Sequence, residues 1–225
     1  WTPARKALLR SSRIDSTTAL VRALLGTDAP PMTLLAGSAI GWYGDTGDRA
    51  VDETAPAGSG FLATLVRDWE AAAQPAAAAG IRVANLRSGV VLSGRGGMLA
   101  PLLLPFRLGL GARIGAGSQY LSWISSADHV RAVSFLLDRP DISGPVNLTA
   151  PLPATNAEFT RALGAVVRRP ALLAAPGWAV RLALGELATE LLGSSRVRPA
   201  RLQQAGFSFD YPAIGPALAE AVRRR

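Results

Sequence analysis

The sequence predicts an α/β fold that is built on a parallel sheet. Residues 32–36 form an apolar run without polar alternation, which is typical of a strand buried on both faces of such a sheet. Residues 81–92 form a second strand-like run, and an alanine-rich helical pattern over 60–79 separates the two. Because parallel neighbours need a crossover connection, this alternation of strand and helix favours the α/β class.

Length and composition limit the classes of protein to which the chain can belong. Its 225 residues are 49% hydrophobic and 18% charged, which is enough to bury the core of one domain, with or without a small appendage. No apolar run approaches the roughly 20 residues that span a bilayer, and no signal segment opens the chain. We therefore predict a soluble, cytoplasmic protein without a membrane partner.

The side-chain inventory excludes several kinds of chemistry. The chain has no cysteine, which excludes disulfides and thiolate catalysis, and its single histidine, His129, argues against a histidine-built zinc site. The acidic loop at 45–53 lacks the ligand spacing of a calcium site and is interpreted as a solvated loop. These observations predict no metal site. The net charge of +8 comes largely from dispersed arginines, whereas nucleic-acid binding usually shows a clustered basic surface, so we predict no nucleic-acid partner.

Local signals place the remaining elements. Thr2 caps a predicted helix over 3–25, whose apolar stripe includes Ala19 and Val21 and which leads into a strand at 32–38. Because a parallel sheet needs a further strand before this helix, and the chain does not begin with Met, we expect it to be the later part of a longer protein. The other predicted elements are a loop and helix over 94–117, helices at 128–137, 156–168 and 178–192, a strand at 145–149 and a final helix from residue 214.

The first strand ends in small residues at the edge of the sheet where ligands bind. Gly37 and Ser38 close the strand, and a glycine-punctuated turn then carries Trp42 and Tyr43. In open α/β sheets ligands lie at the carboxyl ends of the strands, so the Ser38 hydroxyl beside close-approach glycines indicates a pocket floor. The alternative is a strand that simply ends in a turn.

The second strand ends with an arginine. A charge at a buried strand end is costly unless it meets an opposite charge, so Arg87 either contacts an anionic ligand or forms an internal ion pair. The sequence leaves both interpretations open. The glycine-rich segment 94–117 has neither a phosphate-loop nor a dinucleotide pattern, and we expect it to cover the pocket, with Arg107 and Trp123 as wall residues.

Several short blocks of sequence, spread over the whole chain, form a recognisable pattern when they are taken together. They are Ser-Ala-Ile-Gly-Trp-Tyr-Gly at 38–44, Trp-Glu-Ala-Ala at 69–72, Leu-Arg-Ser-Gly-Val-Val-Leu at 86–92, Pro-Phe-Arg-Leu-Gly-Leu-Gly at 105–111, Trp-Ile at 123–124, Asn-Leu-Thr-Ala-Pro at 147–151 and Thr-Asn-Ala-Glu-Phe at 155–159. Together they resemble the epimerase-family branch of the extended short-chain dehydrogenases/reductases. The block at 196–202, followed by Gly206 and Phe207, resembles that branch's own C-terminal domain.

The resemblance implies a Rossmann-type domain that binds NAD(P), with NADP(H) the expected form. It divides the chain into the later part of that domain, residues 1–153, and a small, mainly helical C-terminal domain, residues 154–225. The family's glycine fingerprint, which holds the pyrophosphate at a helix N-terminus, would precede Trp1. We therefore expect this chain to lack the main cofactor-binding fingerprint, and by itself to fold poorly and bind NAD(P)H weakly.

The resemblance also suggests roles for single residues. Ser38 would hydrogen-bond a substrate carbonyl or hydroxyl near the nicotinamide, and Tyr43 would be a substitute proton donor. The small-molecule substrate would lie against Trp42, Arg107 and Trp123. The residues expected to bind or flank the cofactor are Gly37, Ser38, Arg87, Ser88, Gly89 and Val90.

The chain departs from the family pattern where the chemistry is expected. Short-chain dehydrogenases use a Tyr-x-x-x-Lys pair, in which the lysine lowers the pKa of the tyrosine. The matching helix carries Leu62 and Val66 at these positions, and Ser125 replaces a histidine of the family. Two hypotheses follow: an NAD(P)-dependent oxidoreductase or epimerase-like enzyme of unknown substrate, and a non-catalytic NAD(P)-sensing or scaffold protein.

Overall fold

The computed structural model describes residues 1–223. Helices pack against a parallel sheet, so the predicted α/β class is confirmed. The strands are β1 (Thr33–Ala39), β2 (Arg82–Ser88), β3 (Val90–Leu92), β4 (Ala112–Ile114), β5 (Tyr120–Leu121), β6 (Trp123–Ser125), β7 (Gly144–Leu148), β8 (Ala154–Thr155) and β9 (Leu173–Ala175). The helices are α1 (Pro3–Leu25), α2 (Phe61–Ala78), α3 (Leu99–Arg107), α4 (Ser126–Leu137), α5 (Asn156–Val166), α6 (Gly177–Leu184), α7 (Leu187–Leu192), α8 (Ala200–Gln204) and α9 (Ile214–Arg223), and Ile40–Tyr43 forms a turn of 3₁₀ helix.

The main sheet aligns polar residues near one of its edges. Its strand order is β1-β2-β7, and both pairs of neighbours are parallel. The register places Ser38 opposite Arg87, and Arg87 opposite Asn147. These three residues therefore form one row across the sheet, close to the carboxyl end of each strand, where open α/β sheets bind their ligands.

The second predicted strand, 81–92, is divided at Gly89. Before the break β2 pairs with β7, and after it β3 pairs with β6, also in parallel. The Gly89 amide donates to Leu148 O at 3.1 Å, and the next amide, that of Val90, donates to Ser122 O at 2.9 Å. A Cβ at Gly89 would lie 2.8 Å from Ser122 O, so the missing side chain lets the chain exchange one neighbour for the other.

The first helix has the predicted bounds, but its buried face is smaller than expected. Thr2 caps α1, since its Oγ1 accepts a 3.2 Å hydrogen bond from the first turn. Val21 is buried, whereas Ala19 is exposed, because α1 packs mainly against α2.

The predicted burial of the first strand on both faces is also wrong in part. Ala36 and Ser38 are buried, but β1 is an edge strand of its sheet and its other residues retain exposure.

The predicted helix at 178–192 is wrong, because the chain forms two shorter helices there. Gly185 separates α6 from α7 with φ of +55°, a left-handed conformation that favours glycine. The helix predicted at 156–168 is confirmed as α5, and its N-terminus has a capping box in which Thr155 and Glu158 exchange hydrogen bonds. Short-range cap chemistry therefore predicts helix starts better than it predicts interruptions.

A hydrophobic core cluster extends across the predicted domain boundary. It joins Trp123 and Ala150 on one side to Phe159 and Leu218 on the other. The division at residue 153 stays a prediction, and residues 224–225 of the second predicted domain lie outside the described residues. Within residues 1–223, none of the helices combines the length and the hydropathy that crossing a bilayer requires.

Candidate functional site

The row of polar residues in the sheet is tied together by a buried ion pair. Arg87 donates from Nε to Glu70 Oε1 at 2.7 Å and from Nη2 to Glu70 Oε2 at 2.9 Å. The two side chains are 3% and 8% exposed, so this bidentate pair is shielded from water. Of the two interpretations of Arg87, the internal ion pair is the one present. Glu70 was not predicted as a site residue, although it belongs to the Trp-Glu-Ala-Ala block at 69–72 that carries part of the family resemblance.

Ser38 is the second hydrogen-bond donor to Glu70. Its Oγ donates to Oε1 at 2.6 Å, and the residue is 5% exposed. The hydroxyl proton is therefore directed at a buried carboxylate from α2, and donation to a substrate carbonyl needs this hydrogen bond to open. The contact expected of Ser38 stays a prediction.

Tyr43 joins the row to the neighbouring strand. Its Oη accepts from Arg87 Nη1 at 3.0 Å and donates to Asn147 Oδ1 at 2.8 Å. Burial raises the pKa of Tyr43 above its ordinary value of 10.0, and the charge of Arg87 opposes this rise without reversing it. The hydroxyl therefore keeps its proton at neutral pH, enclosed between two partners. A role as proton donor stays a prediction.

The three residues expected to contact the substrate do not line one common cavity. Trp42 is half-buried, lies 3.9 Å from the Arg87 guanidinium and donates from Nε1 to Ala55 O. Trp123 is 0% exposed, and its indole N–H has no hydrogen-bond partner within residues 1–223. Arg107 is exposed at the end of α3. A substrate contact for any of them stays a prediction.

A cavity of about 370 Å³, hereafter the apolar cavity, lies beside the carboxyl ends of β1 and β2. It is reached by Ile40 and Gly41, which follow β1, and by Val90, which follows β2 across Gly89. Its other apolar walls include Leu62, Met98, Leu102, Leu121, Phe159 and Leu191. Its polar lining is Gln119, Tyr120, Ser122, Asn156, Glu190 and Ser195.

The polar side chains of this lining are largely occupied by the protein itself. Ser122 Oγ donates to Ser195 O at 2.7 Å and accepts from Val197 N at 2.8 Å. Asn156 Oδ1 accepts from the Ile114 amide at 2.7 Å, and its side-chain Nδ2 donates to no other group among residues 1–223, so that it can serve as a donor to a ligand. Among residues 1–223, no group of three or more histidine, aspartate or glutamate side chains is placed to hold a metal ion.

Glu190 is the charged residue that lines the apolar cavity within the described part of the chain. It also lines an adjoining cavity of about 240 Å³, together with Asp45 and Ser195. Glu190 is an exposed residue, but desolvation of its carboxyl raises its pKa above the ordinary value of 4.5, and the charges of Glu186 and Asp45 raise it further. The rim of the cavity is therefore acidic, a feature that the sequence reasoning missed because residues 45 and 190 meet only in the fold.

The loop expected to flank the cofactor carries one further polar contact. Ser88 Oγ lies 2.9 Å from His129 Nε2, and burial lowers the pKa of His129 from its ordinary value of 6.5. The folded state therefore binds fewer protons than the unfolded state between the lowered pKa and about 6.5.

We expect the protein to lose stability as the pH falls below about 6.5, and His129→Gln to remove this part of the loss while retaining a hydrogen-bonding group beside Ser88. Urea unfolding of both proteins between about pH 7.5 and pH 5 measures the difference. Curves of unfolding free energy that stay parallel over this range would contradict the assignment.

Comparison with known proteins identifies the family. The family model for a domain of unknown function, DUF1731, matches residues 175–221. An epimerase family protein of Mycobacterium bovis is 52% identical over 225 residues, which is 100% of this chain and 74% of that protein. The mouse epimerase family protein SDR39U1 is 36% identical over 224 residues, 99% of this chain and 76% of its own.

Solved structures show the same relationship. The crystal structure of the human epimerase family protein SDR39U1 with NADPH has a TM-score of 0.93 and 33% identity, over 100% of this chain and 77% of that one. A nucleoside-diphosphate sugar epimerase from Corynebacterium glutamicum has a TM-score of 0.78 and 35% identity, over 99% of this chain and 44% of that one. The resemblance read from the sequence blocks is therefore confirmed. The chain belongs to the epimerase family, with a Rossmann-type fold and a small helical C-terminal region.

Proposed function

We propose that this protein is an NAD(P)-dependent oxidoreductase or epimerase-like enzyme that acts on a small molecule. The observation that carries the proposal is the apolar cavity beside the carboxyl ends of parallel strands, the position where open α/β sheets bind ligands. The human relative was crystallised with NADPH, which supports NADP(H) as the cofactor.

The proposed nicotinamide contacts come mainly from backbone. The side chains of Ser38 and Arg87 are engaged with Glu70, so we assign them to holding the ends of β1 and β2 in place. Gly37, Ser88, Gly89 and Val90 then border the nicotinamide side, and Val90 also lines the apolar cavity. Tyr43 keeps Asn147 and Arg87 in register across the sheet.

The runner-up is a protein that binds NAD(P) without turnover. Leu62 favours it, because this apolar side chain lines the cavity from the helix on which the family pattern has its tyrosine. Consumption of NADPH separates the two functions, since only an enzyme transfers the hydride to an added carbonyl compound.

The nicotinamide site is testable separately from the pyrophosphate fingerprint. We expect saturation-transfer NMR with NADPH, and with reduced nicotinamide mononucleotide, to show contacts at the nicotinamide protons that exceed those at the adenine. Gly89→Ala should weaken these contacts several-fold, because its Cβ would lie 2.8 Å from Ser122 O and 2.9 Å from Thr149 Cγ2.

Gly96→Ala is the matched control, since a Cβ there meets nothing within 4 Å and Gly96 is not a left-handed glycine. It should leave the NMR contacts unchanged. Nicotinamide protons that receive no saturation from the folded protein at millimolar ligand would refute the proposed cofactor site.

A further inference from the structure

We propose that the apolar cavity takes an uncharged, largely apolar carbonyl or alcohol compound and rejects nucleotide sugars, with Glu190 of the C-terminal region excluding anions. This inference rests on the proposed function, whose substrate class it names. It also gives a role to the region matched by the domain of unknown function, which contributes Glu190, Leu191, Gly193 and Ser195 to the cavity.

The lining of the cavity is unsuited to a diphosphate. A nucleotide sugar carries two negative charges on its pyrophosphate, and proteins bind such groups with arginine, lysine or helix N-termini. Among residues 1–223, none of the side chains that line the apolar cavity is cationic. The arginine that stacks on its lining, Arg196, lies 4.7 Å from the Tyr120 ring centroid and donates to Asp48 O.

Negative charge beside the cavity strengthens this preference for uncharged molecules over anions. Glu190 lines the apolar cavity, and it lines the adjoining cavity together with Asp45, so two carboxylates lie on this side. Glu186 is also near enough to raise the pKa of Glu190, but its own carboxylate is paired with Lys6. Asp45 is held there by the backbone, since its Oδ1 accepts from Gly47 N at 2.9 Å and from Ser194 N at 3.1 Å. An anion in the cavity therefore lies beside the Glu190 carboxylate, whereas an uncharged molecule meets no such repulsion.

The size and polarity of the cavity suit a small organic molecule. A volume of about 370 Å³ is within the range of small-molecule sites, which are mostly apolar with a few placed polar groups. Leu62 and Leu102 supply apolar wall from α2 and α3, and the Asn156 amide nitrogen is one polar group left to orient a carbonyl or hydroxyl oxygen.

A pair of fluorescent probes that differ by one charge tests the inference. N-phenyl-1-naphthylamine is uncharged, and its 8-sulfonate derivative has the same rings with one negative charge. We expect the uncharged probe to bind and the sulfonate to bind at least tenfold more weakly. Glu190→Gln should tighten the sulfonate about threefold to tenfold, the scale of one like charge at a few ångströms in a solvent-exposed site, and should leave the uncharged probe unchanged.

Matched variants locate the probe. Leu102→Trp and Leu62→Trp fill the cavity from two walls and should each weaken the uncharged probe at least tenfold, with circular dichroism used to verify folding. Leu8→Trp, on an exposed face of α1, and Asp138→Asn, an exposed charge outside the cavity, should change neither probe. Wall variants that fold normally and leave the uncharged probe bound would overturn the assignment of the site.

Competition with a nucleotide sugar separates this inference from the proposed function. We expect UDP-glucose at millimolar concentration not to displace the uncharged probe. Displacement by UDP-glucose, with nicotinamide contacts present in the NMR experiment, would refute the substrate class and leave the proposed function standing. The expected probe pattern without any nicotinamide contact would refute the proposed function and leave the cavity's preference for uncharged ligands established.

Discussion

Arg87→Met should lower the free energy of unfolding by about 3–5 kcal/mol, because it leaves Glu70 charged, buried and without its bidentate partner. The same change removes the hydrogen bond from Nη1 to the Tyr43 hydroxyl and the guanidinium that lies 3.9 Å from the Trp42 ring. For a chain of this length the melting temperature should fall by about 10 °C. Urea unfolding and thermal melting followed by circular dichroism measure the loss.

The expected loss of unfolding free energy is large because the Arg87–Glu70 pair is buried. An exposed ion pair is therefore the matched control. Arg10 donates to Asp68 at 2.8 Å, but these side chains are 45% and 32% exposed, so Arg10→Met should have little effect. The double variant Arg87→Met with Glu70→Leu should recover part of the stability, because it removes both buried charges. A loss in Arg87→Met no larger than that in Arg10→Met would show that the buried pair is energetically unimportant.

Gly58→Ala should have the second large effect, with a loss of about 2–3 kcal/mol or more, because the added Cβ has no room. It would lie 2.1 Å from Tyr43 O and 2.5 Å from Tyr43 C, so backbone rather than a flexible side chain must move. The Gly58 amide also donates to Trp42 O at 2.8 Å. The shift should pull the Tyr43 hydroxyl away from Arg87 and Asn147, which near-ultraviolet circular dichroism of the tyrosine and tryptophan bands detects.

Gly215→Ala is the matched control for added volume. It lies in α9, where a Cβ meets nothing within 4 Å and alanine is the better helix former. This variant should be as stable as the parent or more stable. Equal stability of Gly58→Ala and the parent protein would mean that the loop around residue 58 adapts without cost.

Helix starts could be predicted from the sequence because their chemistry is local. Thr2 caps α1 through an amide three residues later, and Thr155 and Glu158 complete a capping box within one turn. The interruptions were missed because they depend on partners far along the chain. Gly89 ends one strand pairing and starts another because Ser122, more than thirty residues away, lies against it.

The candidate site divides in the same way. The sequence by itself determined the α/β class, the family, and the polar residues Ser38 and Arg87 at the carboxyl ends of two strands, because periodicity and short blocks encode these features in neighbouring residues. Only the tertiary structure decided that Arg87 pairs with Glu70. It also decided that residues within 190–195 line the apolar cavity together with Ile40, which follows the end of β1. These partners are chosen by packing and by the need of a buried charge for an opposite one, and neither requirement leaves a fixed spacing in the sequence.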